Sequence, residues 1–226
     1  EGLCMKYFSM FSGIGGFEYG IGSIGQCVGY SEIDKYAIKV YERNFNGHTN
    51  YGDATTINPK ELPDFDLLVG GFPCQAFSIA GKRKGFDDTR GTLFFDIARI
   101  LSKKRPKHLV LENVKGLLSH DSGKTFQTIL GILADLGYAV EWQVLNSKDF
   151  GVPQNRERVI IVGHLGGFGG RKVFPITRSN SKIVSKTILD INQAQRVYGI
   201  DGVAITQKVS SPGCPPSGAR QTAFRA

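Results

Sequence analysis

The feature that most constrains the fold is a regular alternation of apolar runs with amphipathic helical patterns from Met5 to Gly137. Each apolar run suits one buried strand, and each segment after it repeats apolar residues near the helical period of about 3.6. The four predicted strands are "MKYFSMF", "CVGYSE", "DFDLLVGG" and "KHLVLEN", and the four predicted helices are "GFEYGIGSIG", "DKYAIKVYERNF", "TLFFDIARILSKK" and "GKTFQTILGILADLG". This order predicts an α/β fold with a mostly parallel sheet that is covered on both faces.

The pattern changes after Gly137, where two strands follow each other without room for a crossover helix. The strands "YAVEWQVLNSKDFG" and "RVIIVGHLGG" are joined by a polar turn, so we expect an antiparallel hairpin at one edge of the sheet. From Gly166 onward the sequence is rich in Gly, Ser, Asn, Pro and Arg, and only "KIVSKTILDI" indicates a helix. We therefore predict one main domain over residues 1–165 and an irregular, incomplete element over residues 166–226.

Composition narrows the setting of this chain of 226 residues. No apolar run approaches the roughly 18 residues that span a bilayer, and no signal segment opens the sequence, so we expect a cytoplasmic protein without membrane insertion. The four cysteines are far apart and form no C-x-x-C pair, which disfavours a disulfide scaffold and predicts no metal site. A net charge of +8 suits a nucleic-acid partner, although many basic proteins bind none.

The first chemical motif is "FSGIGGFE", Phe11–Glu18, in which glycines follow a strand directly and precede a helix. Glycine lets the backbone approach a ligand closely, but a tight turn without a ligand is compatible with the same residues. Glu32 ends the second predicted strand and Asp53 follows the next extended piece, near the edge where such sheets bind ligands. A carboxylate there can accept hydrogen bonds from ribose hydroxyls or cap a helix, a role that also fits Asp34.

Cys74 follows two glycines and a proline at the carboxyl end of the strand "DFDLLVGG". A free cysteine is usually a small buried hydrophobe, yet this edge of the sheet is also where a nucleophile is expected. Glu112 ends the strand "HLVLEN", and the hairpin turn "GVPQNRERV" brings Arg156 and Arg158 toward the same edge. Singly, the glutamate suits a helix cap and the arginines a solvated turn, but together with Cys74 they indicate one pocket.

Taken in order, "FSGIGGFE", "GGFPCQAFS", "ENVKG" and "QNRERV" resemble the motifs of the DNA (cytosine-5) methyltransferases of bacterial and phage restriction-modification systems. The resemblance covers about residues 5–164 and includes "GKRKGFDDTRGTLFFDIARI" and "LNSKDFGVPQNRER". It implies a Rossmann-like S-adenosylmethionine-dependent methyltransferase fold for residues 1–165. It further implies methyl transfer from S-adenosylmethionine to C5 of cytosine in double-stranded DNA.

The resemblance also implies a role for each residue at this edge. Cys74 is the nucleophile that adds to C6 of a flipped-out cytosine, because a thiolate is accessible near neutral pH and can leave again. Glu112 holds the base at N3 and its exocyclic amine, and Arg158 faces O2. Arg156 orders the surroundings of Cys74. Methyl-donor binding falls to Phe11, Gly13, Ile14, Gly15, Gly16, Glu32, Ile33, Asp53, Ala54, Gly71, Pro73 and Leu93.

Contacts to DNA are expected from the basic, glycine-bearing loop that follows Cys74, because its cations can meet phosphates and its glycines permit closure. A merely solvated charged loop would have the same composition. The residues assigned to DNA are Gln75, Ser78, Lys82, Arg83, Lys84 and Arg90.

Family members carry a target-recognition region and two further motifs after the hairpin, whereas residues 166–226 resemble only the entry to that region, at "QRVYGIDGVAITQKVSS". We therefore expect a catalytic lobe with its recognition region truncated or missing, or one completed by a second subunit. Three alternatives stay open. They are a lobe that binds the donor without turnover, a tRNA cytosine-5 methyltransferase, and a nicotinamide-dependent oxidoreductase, which leaves Cys74, Glu112 and Arg158 unexplained.

Overall fold

The structure is a computed structural model that describes residues 4–73, 93–167, 169 and 172–177, with residues 187–189 and 197–198 described as backbone only. Within these ranges the main sheet has six strands. They are β1 (Met5–Met10), β2 (Gly25–Ser31), β3 (Leu67–Gly71), β4 (His108–Val114), β5 (Tyr138–Asn146) and β6 (Glu157–Leu165). The α-helices of the described ranges are α1 (Gly16–Ile21), α2 (Lys35–Asn44), α3 (Leu93–Lys104) and α4 (Lys124–Asp135).

The strand order is β2-β1-β3-β4-β6-β5. The pairs β1 with β2, β1 with β3, and β3 with β4 are parallel, while β6 runs antiparallel to both β4 and β5. The predicted α/β fold, with a mostly parallel sheet and an antiparallel hairpin at one edge, is therefore confirmed. The carboxyl ends of β1 to β4 and the beginning of β6 all meet at one edge of the sheet, which we call the active edge.

Apolar side chains fill both faces of the sheet, because successive residues of a strand point to opposite sides. On one face, Phe8 and Leu68 pack with buried residues of α3 and α4 in the larger core cluster. On the other face, Tyr7 and Val69 pack against a second group that includes Phe17 of α1. Both faces of the sheet are thus buried by apolar packing, and loops follow the strands at the active edge.

The outer edge of β5 is covered by residues 173–176, which side chains of the strand hold in place. The carboxylate of Glu141 accepts hydrogen bonds from the N–H groups of Val173 at 2.7 Å and Phe174 at 3.2 Å. The amide of Gln143 donates to the carbonyl of Ile176 at 2.9 Å and accepts from its N–H at 2.8 Å. Hydrogen bonds from the side chains of Glu141 and Gln143 thus take the place of the backbone hydrogen bonds that a further strand would have made with β5.

The chain divides into two compact units, one of Glu1–Asn146 with Glu157–Ser179 and one of Ser147–Arg156 with Asn180–Ala226. In the second unit, Ser147–Phe150 forms a 3₁₀ turn, and β7 (Thr187–Leu189) pairs antiparallel with β8 (Val197–Tyr198). The helix expected over "KIVSKTILDI" is therefore wrong at Thr187–Leu189, where pairing with another strand overrides the helical pattern. The domain boundary after residue 165 stays a prediction.

No helix within the described ranges is long and apolar enough to cross a membrane.

Candidate active site

The turn from β1 to α1 has an uncommon backbone. Phe11, Gly13 and Gly15 have positive φ values of 54°, 57° and 96°, which glycine adopts readily and other residues adopt rarely. A Cβ added at Gly15 would overlap the ring of Phe45, whereas no described atom comes within 4 Å of one added at Gly13 or Gly16. The glycine turn, residues 11–16, is therefore packed on one side and open on the other.

Glu32 follows β2, and its carboxylate accepts hydrogen bonds from three backbone N–H groups. Oε2 accepts from Gly13 at 2.8 Å, and Oε1 accepts from Ile33 at 2.8 Å and from Asp34 at 2.9 Å. The cap of α2 is Asp34, which accepts from two N–H groups of the first helical turn. Those two hydrogen bonds lower the pKa of Asp34. Glu32 is thus not the helix cap and instead ties the end of β2 to the glycine turn.

Asp53 lies in the loop after β2 and α2, close to the chain segment that ends β2. The hydroxyl of Ser31 donates to the carbonyl of Gly52 at 2.7 Å, which links the loop to the residue before Glu32. Asp53 accepts from both the N–H and the hydroxyl of Thr55 at 2.9 Å. Both hydrogen bonds go to Oδ1, and Asp53 as a whole is exposed at the loop surface.

The loop that begins at Asp53 is held by Arg99 of α3, a residue that the sequence analysis did not identify. Its guanidinium donates to the carbonyl of Ile57 and, at 2.9 Å, to that of Ala54. Arg99 also pairs with Asp96 at 3.1 Å, and both side chains are largely buried. Burial raises the pKa of Asp96, and the hydrogen bond from Arg99 opposes that shift. The sequence signal that could have identified Arg99 is an acidic residue, Asp96, three positions before it on the apolar face of the same helix.

Glu112 and Arg158 form an ion pair at the active edge. Oε1 of Glu112 lies 2.6 Å from Nε of Arg158, which is possible because β4 ends where the antiparallel β6 begins. Gly71 of β3 is the register partner of Glu112, and a Cβ added at Gly71 would lie 3.2 Å from Oε2 of Glu112. Glycine at this position therefore leaves the carboxylate room beside the end of β3.

Asn113 fixes the end of β3 from the neighbouring strand. Its side chain is buried, and Nδ2 donates to the carbonyl of Phe72 at 2.8 Å. Its Oδ1 accepts from the N–H of Val114 at 2.8 Å. Phe72 stands two residues before Cys74 in the sequence, so this hydrogen bond orients the chain that leads to the predicted nucleophile.

Comparison with known protein families identifies the family of this chain. Residues 5–209 match the profile of the C-5 cytosine-specific DNA methylases, which is most of the chain. The chain belongs to the C-5 cytosine-specific DNA methylase family. The predicted family is confirmed by this match.

Individual members of the methylase family are also similar in sequence. The type II methyltransferase M1.ScrFI of Lactococcus lactis subsp. cremoris is 57% identical over 160 residues, which are 70% of this chain and 41% of that protein. The type II methyltransferase M.HhaI of Haemophilus parahaemolyticus is 50% identical over 159 residues, 70% of this chain and 48% of that protein. The chain therefore spans less than half the length of these two relatives.

Solved structures share the fold. A variant of DNMT2 from Spodoptera frugiperda superposes with a TM-score of 0.62 at 22% identity, over 81% of this chain and 60% of that chain. The Dnmt2 methyltransferase of S. pombe superposes with a TM-score of 0.59 at 21% identity, over 75% of this chain and 52% of that chain. At this identity the likeness establishes the methyltransferase fold and nothing finer.

The structure brings some residues assigned by the methylase motifs together. The N–H of Gly13 donates a hydrogen bond to Glu32, and Glu112 contacts Arg158 beside Gly71. Ile14 and Ile33 expose most of their side chains next to these groups. Ala54 is buried under the Asp53 loop, Pro73 is exposed after β3, and Leu93 is the first residue of α3.

The remaining assigned residues lie in the second compact unit or outside the described residues. Arg156 belongs to the unit of Ser147–Arg156 with Asn180–Ala226. Cys74, Gln75, Ser78, Lys82, Arg83, Lys84 and Arg90 lie outside the described residues. All of the site assignments stay predictions.

The residues of the glycine turn fit S-adenosylmethionine, the methyl donor of this family, in space and in polar groups. Gly13 and Gly16 face open space, and the buried hydroxyl of Ser12 has no hydrogen-bond partner among the residues that the structure describes. A buried polar atom without a partner costs free energy unless a ligand or water satisfies it. As for metals, no group of three or more His, Cys, Asp or Glu side chains in the described ranges is arranged to hold an ion.

Proposed function

We propose that this chain transfers a methyl group from S-adenosylmethionine to C5 of cytosine in double-stranded DNA. The observation that carries the proposal is the Glu112–Arg158 pair, with 2.6 Å between carboxylate and guanidinium, at the edge where β3 leads to Cys74. A carboxyl group and a guanidinium side by side match the N3, amine and O2 edge of cytosine in hydrogen-bonding pattern. The neighbouring glycine turn and Glu32 supply the donor side of the same edge.

The proposed chemistry depends on making C5 of cytosine nucleophilic. The thiolate of Cys74 forms a bond to C6, the electron pair of the C5–C6 double bond shifts to form a C4–C5 double bond, and the pair of the C4–N3 double bond moves onto N3. Glu112, once it has taken up a proton from solvent in place of its ion pair with Arg158, donates that proton to N3 and so neutralises the charge that develops there, while Arg158 donates to O2. N3 returns the proton to Glu112 as C5 takes up the methyl group. When bound, S-adenosylmethionine supplies the electrophilic methyl group that C5 takes up. Loss of the C5 proton to a base then restores the double bond and expels the Cys74 thiolate.

Residues of the chain also have to bind DNA and separate the target base from its stack. Neither face of C6 is accessible in a duplex, so the nucleotide must be flipped out. The loop with Lys82, Arg83, Lys84 and Arg90 is proposed to contact phosphates during this step. Gln75 and Ser78, at the beginning of that loop, are proposed to contact the DNA near the extruded base.

The proposed setting is the cytoplasm of a bacterial or phage-infected cell, in a restriction-modification system. The proposed partner is double-stranded DNA. A second subunit that carries a recognition region is a further partner to be tested.

The experiment that tests the function is transfer of labelled methyl from S-adenosylmethionine to unmethylated duplex DNA by the purified chain. A transfer RNA serves as the competing substrate, and digestion of the product identifies the labelled base. We expect label in 5-methylcytosine of DNA. Label in transfer RNA alone would overturn the substrate. No label on either nucleic acid, with the donor still bound, would overturn activity of this chain by itself and favour the second subunit.

Glu32 offers a separate test of the donor site. Replacing Glu32 by alanine removes the acceptor of the Gly13 N–H, which is 2.8 Å away, and any hydrogen bond to the donor ribose. Because hydrogen bonds to a charged group contribute about 1.5–3 kcal/mol, we expect S-adenosylhomocysteine to bind at least about tenfold more weakly, as measured by calorimetry.

The matched control for Glu32→Ala is Glu42→Ala, which removes an exposed glutamate from α2. We expect the control to bind S-adenosylhomocysteine as the unmodified chain does. Equal affinity in both variants would reject the ribose assignment of Glu32.

A further inference from the structure

A buried carboxylate joins α1 to α2 behind the glycine turn. Glu18 of α1 is 2% exposed, and its Oε1 accepts a hydrogen bond at 3.2 Å from the hydroxyl of Tyr41, which is fully buried on α2. The other oxygen, Oε2, has no hydrogen-bond partner within the part of the chain that the structure describes. The Tyr41 hydroxyl also lies 3.0 Å from Nδ1 of His48.

An aromatic ring supports the glycine turn from the same side. Phe45, directly after α2, lies so close to Gly15 that a Cβ there would overlap its Cε2 atom. The ring centroid of Phe45 is 5.2 Å from that of Tyr41, and Tyr41 stacks on Tyr30 of β2 at 3.9 Å. Aromatic pairs in such contact contribute about 0.5–1.5 kcal/mol beyond the burial of their area. Phe45 and Tyr41 thus form one packed support for residues 15–18.

Both contacts act on elements that carry the proposed donor residues. Gly15 lies inside the glycine turn and Glu18 lies one helical turn later, while α2 begins directly after Glu32 and Asp34. The glycine turn and Glu32 meet through the 2.8 Å hydrogen bond from Gly13. The position of α2 against α1 therefore acts on the distance between the glycine turn and Glu32, together with the hydrogen bond from the Ser12 N–H to the Ser31 carbonyl at 3.2 Å.

We propose that Glu18, Tyr41 and Phe45 are positioning residues that set the geometry of the methyl-donor site without touching the donor. The inference rests on the proposed function, because it assigns the donor to the glycine turn and Glu32. It extends that function by naming residues on the buried side of the turn.

Packing alone does not explain Glu18 and Tyr41. A carboxyl group that is almost fully buried costs several kcal/mol more than an apolar side chain of similar volume, and leucine would fill the space of Glu18. A hydrogen bond, unlike an apolar contact, fixes the direction in which α2 approaches α1. Two loops that both contact one small ligand must be held in a fixed orientation relative to each other.

The decisive comparison is Tyr41→Phe against Tyr138→Phe. Both substitutions remove one hydroxyl from a buried tyrosine, and Tyr138 donates to the carbonyl of Pro106 at 2.8 Å, at the opposite edge of the sheet. Both variants keep the ring, so both are expected to fold, and Tyr41→Phe is expected to lose more melting temperature because it leaves the buried Glu18 carboxyl group without its donor. The readout is the dissociation constant of S-adenosylhomocysteine, measured by calorimetry below the melting transition.

We expect Tyr41→Phe to weaken S-adenosylhomocysteine binding about fivefold, a size typical of residues that act on a site through others, and Tyr138→Phe to leave the binding unchanged. Equal affinities in the two variants would overturn the inference. If the unmodified chain itself fails to bind S-adenosylhomocysteine, the donor site is rejected and the inference falls with it, which distinguishes the two failures.

A second pair of variants tests the carboxylate. Glu18→Gln keeps an oxygen that accepts the Tyr41 hydrogen bond, so we expect donor affinity within about twofold of the unmodified chain. Glu18→Leu removes the acceptor and is expected to weaken binding as Tyr41→Phe does. Unchanged affinity in Glu18→Leu would show that the buried hydrogen bond plays no part in positioning.

Discussion

We expect replacement of Cys74 by alanine to abolish methyl transfer to DNA and to leave donor binding intact, which is the largest effect of any substitution proposed. Without a thiolate there is no bond to C6, and C5 of cytosine is too weak a nucleophile to take a methyl group directly. Loss of a covalent nucleophile typically lowers the rate by about 10⁴-fold or more. The measurement is incorporation of labelled methyl into duplex DNA, together with calorimetry of S-adenosylhomocysteine.

The matched control is Cys4→Ala, because Cys4 is an exposed free cysteine outside the proposed site. We expect the control to transfer methyl groups at the rate of the unmodified chain. Methyl transfer that survives in Cys74→Ala would reject covalent catalysis by this residue. Transfer lost in both variants would point to damage that has nothing to do with the nucleophile.

Replacing Arg99 by methionine is expected to be the most destabilising of the substitutions considered. It leaves Asp96 as a buried acid without its 3.1 Å partner and removes the donors to the carbonyls of Ala54 and Ile57. Breaking a buried ion pair from one side costs about 3 kcal/mol or more in the free energy of unfolding. For a chain of this size the melting temperature should fall by about 6–12 °C.

Two variants calibrate that result. Arg43→Met makes the same change at an exposed position of α2, where we expect less than about 0.5 kcal/mol. Adding Asp96→Asn to Arg99→Met removes the unpaired buried charge, so we expect part of the lost stability to return. A melting temperature of Arg99→Met equal to that of Arg43→Met would contradict a structural role for the buried pair.

The pairing of Glu112 with Arg158 could be anticipated from the sequence. Once the strands are arranged as a parallel sheet with an antiparallel hairpin, the end of one strand and the beginning of the next must share an edge. The same reasoning brings Gly13 and Glu32 together. That these residues share one edge follows from which end of its strand each one occupies, which the hydrophobic pattern indicates; the order of the strands, β2-β1-β3-β4-β6-β5, is not given by that pattern.

The contacts of Arg99, Asn113 and Phe45 could not be anticipated. Arg99 binds carbonyls 42 and 45 residues away in the chain, and Asn113 binds one 41 residues away. Such pairs depend on how loops lie against a packed core, which periodicity does not specify. A polar residue at a buried position indicates that a partner exists without identifying it.

The side chains that cover the outer edge of β5 matter for anyone who exchanges segments between related chains. Because Glu141 and Gln143 hold the backbone of Val173, Phe174 and Ile176, a foreign segment joined directly after Leu165 would leave both side chains without these partners and open the last strand to pairing with other molecules. A graft joined after Ile176 keeps the cover. Segments are therefore best exchanged after Ile176, because residues 173–176 then still cover the outer edge of β5.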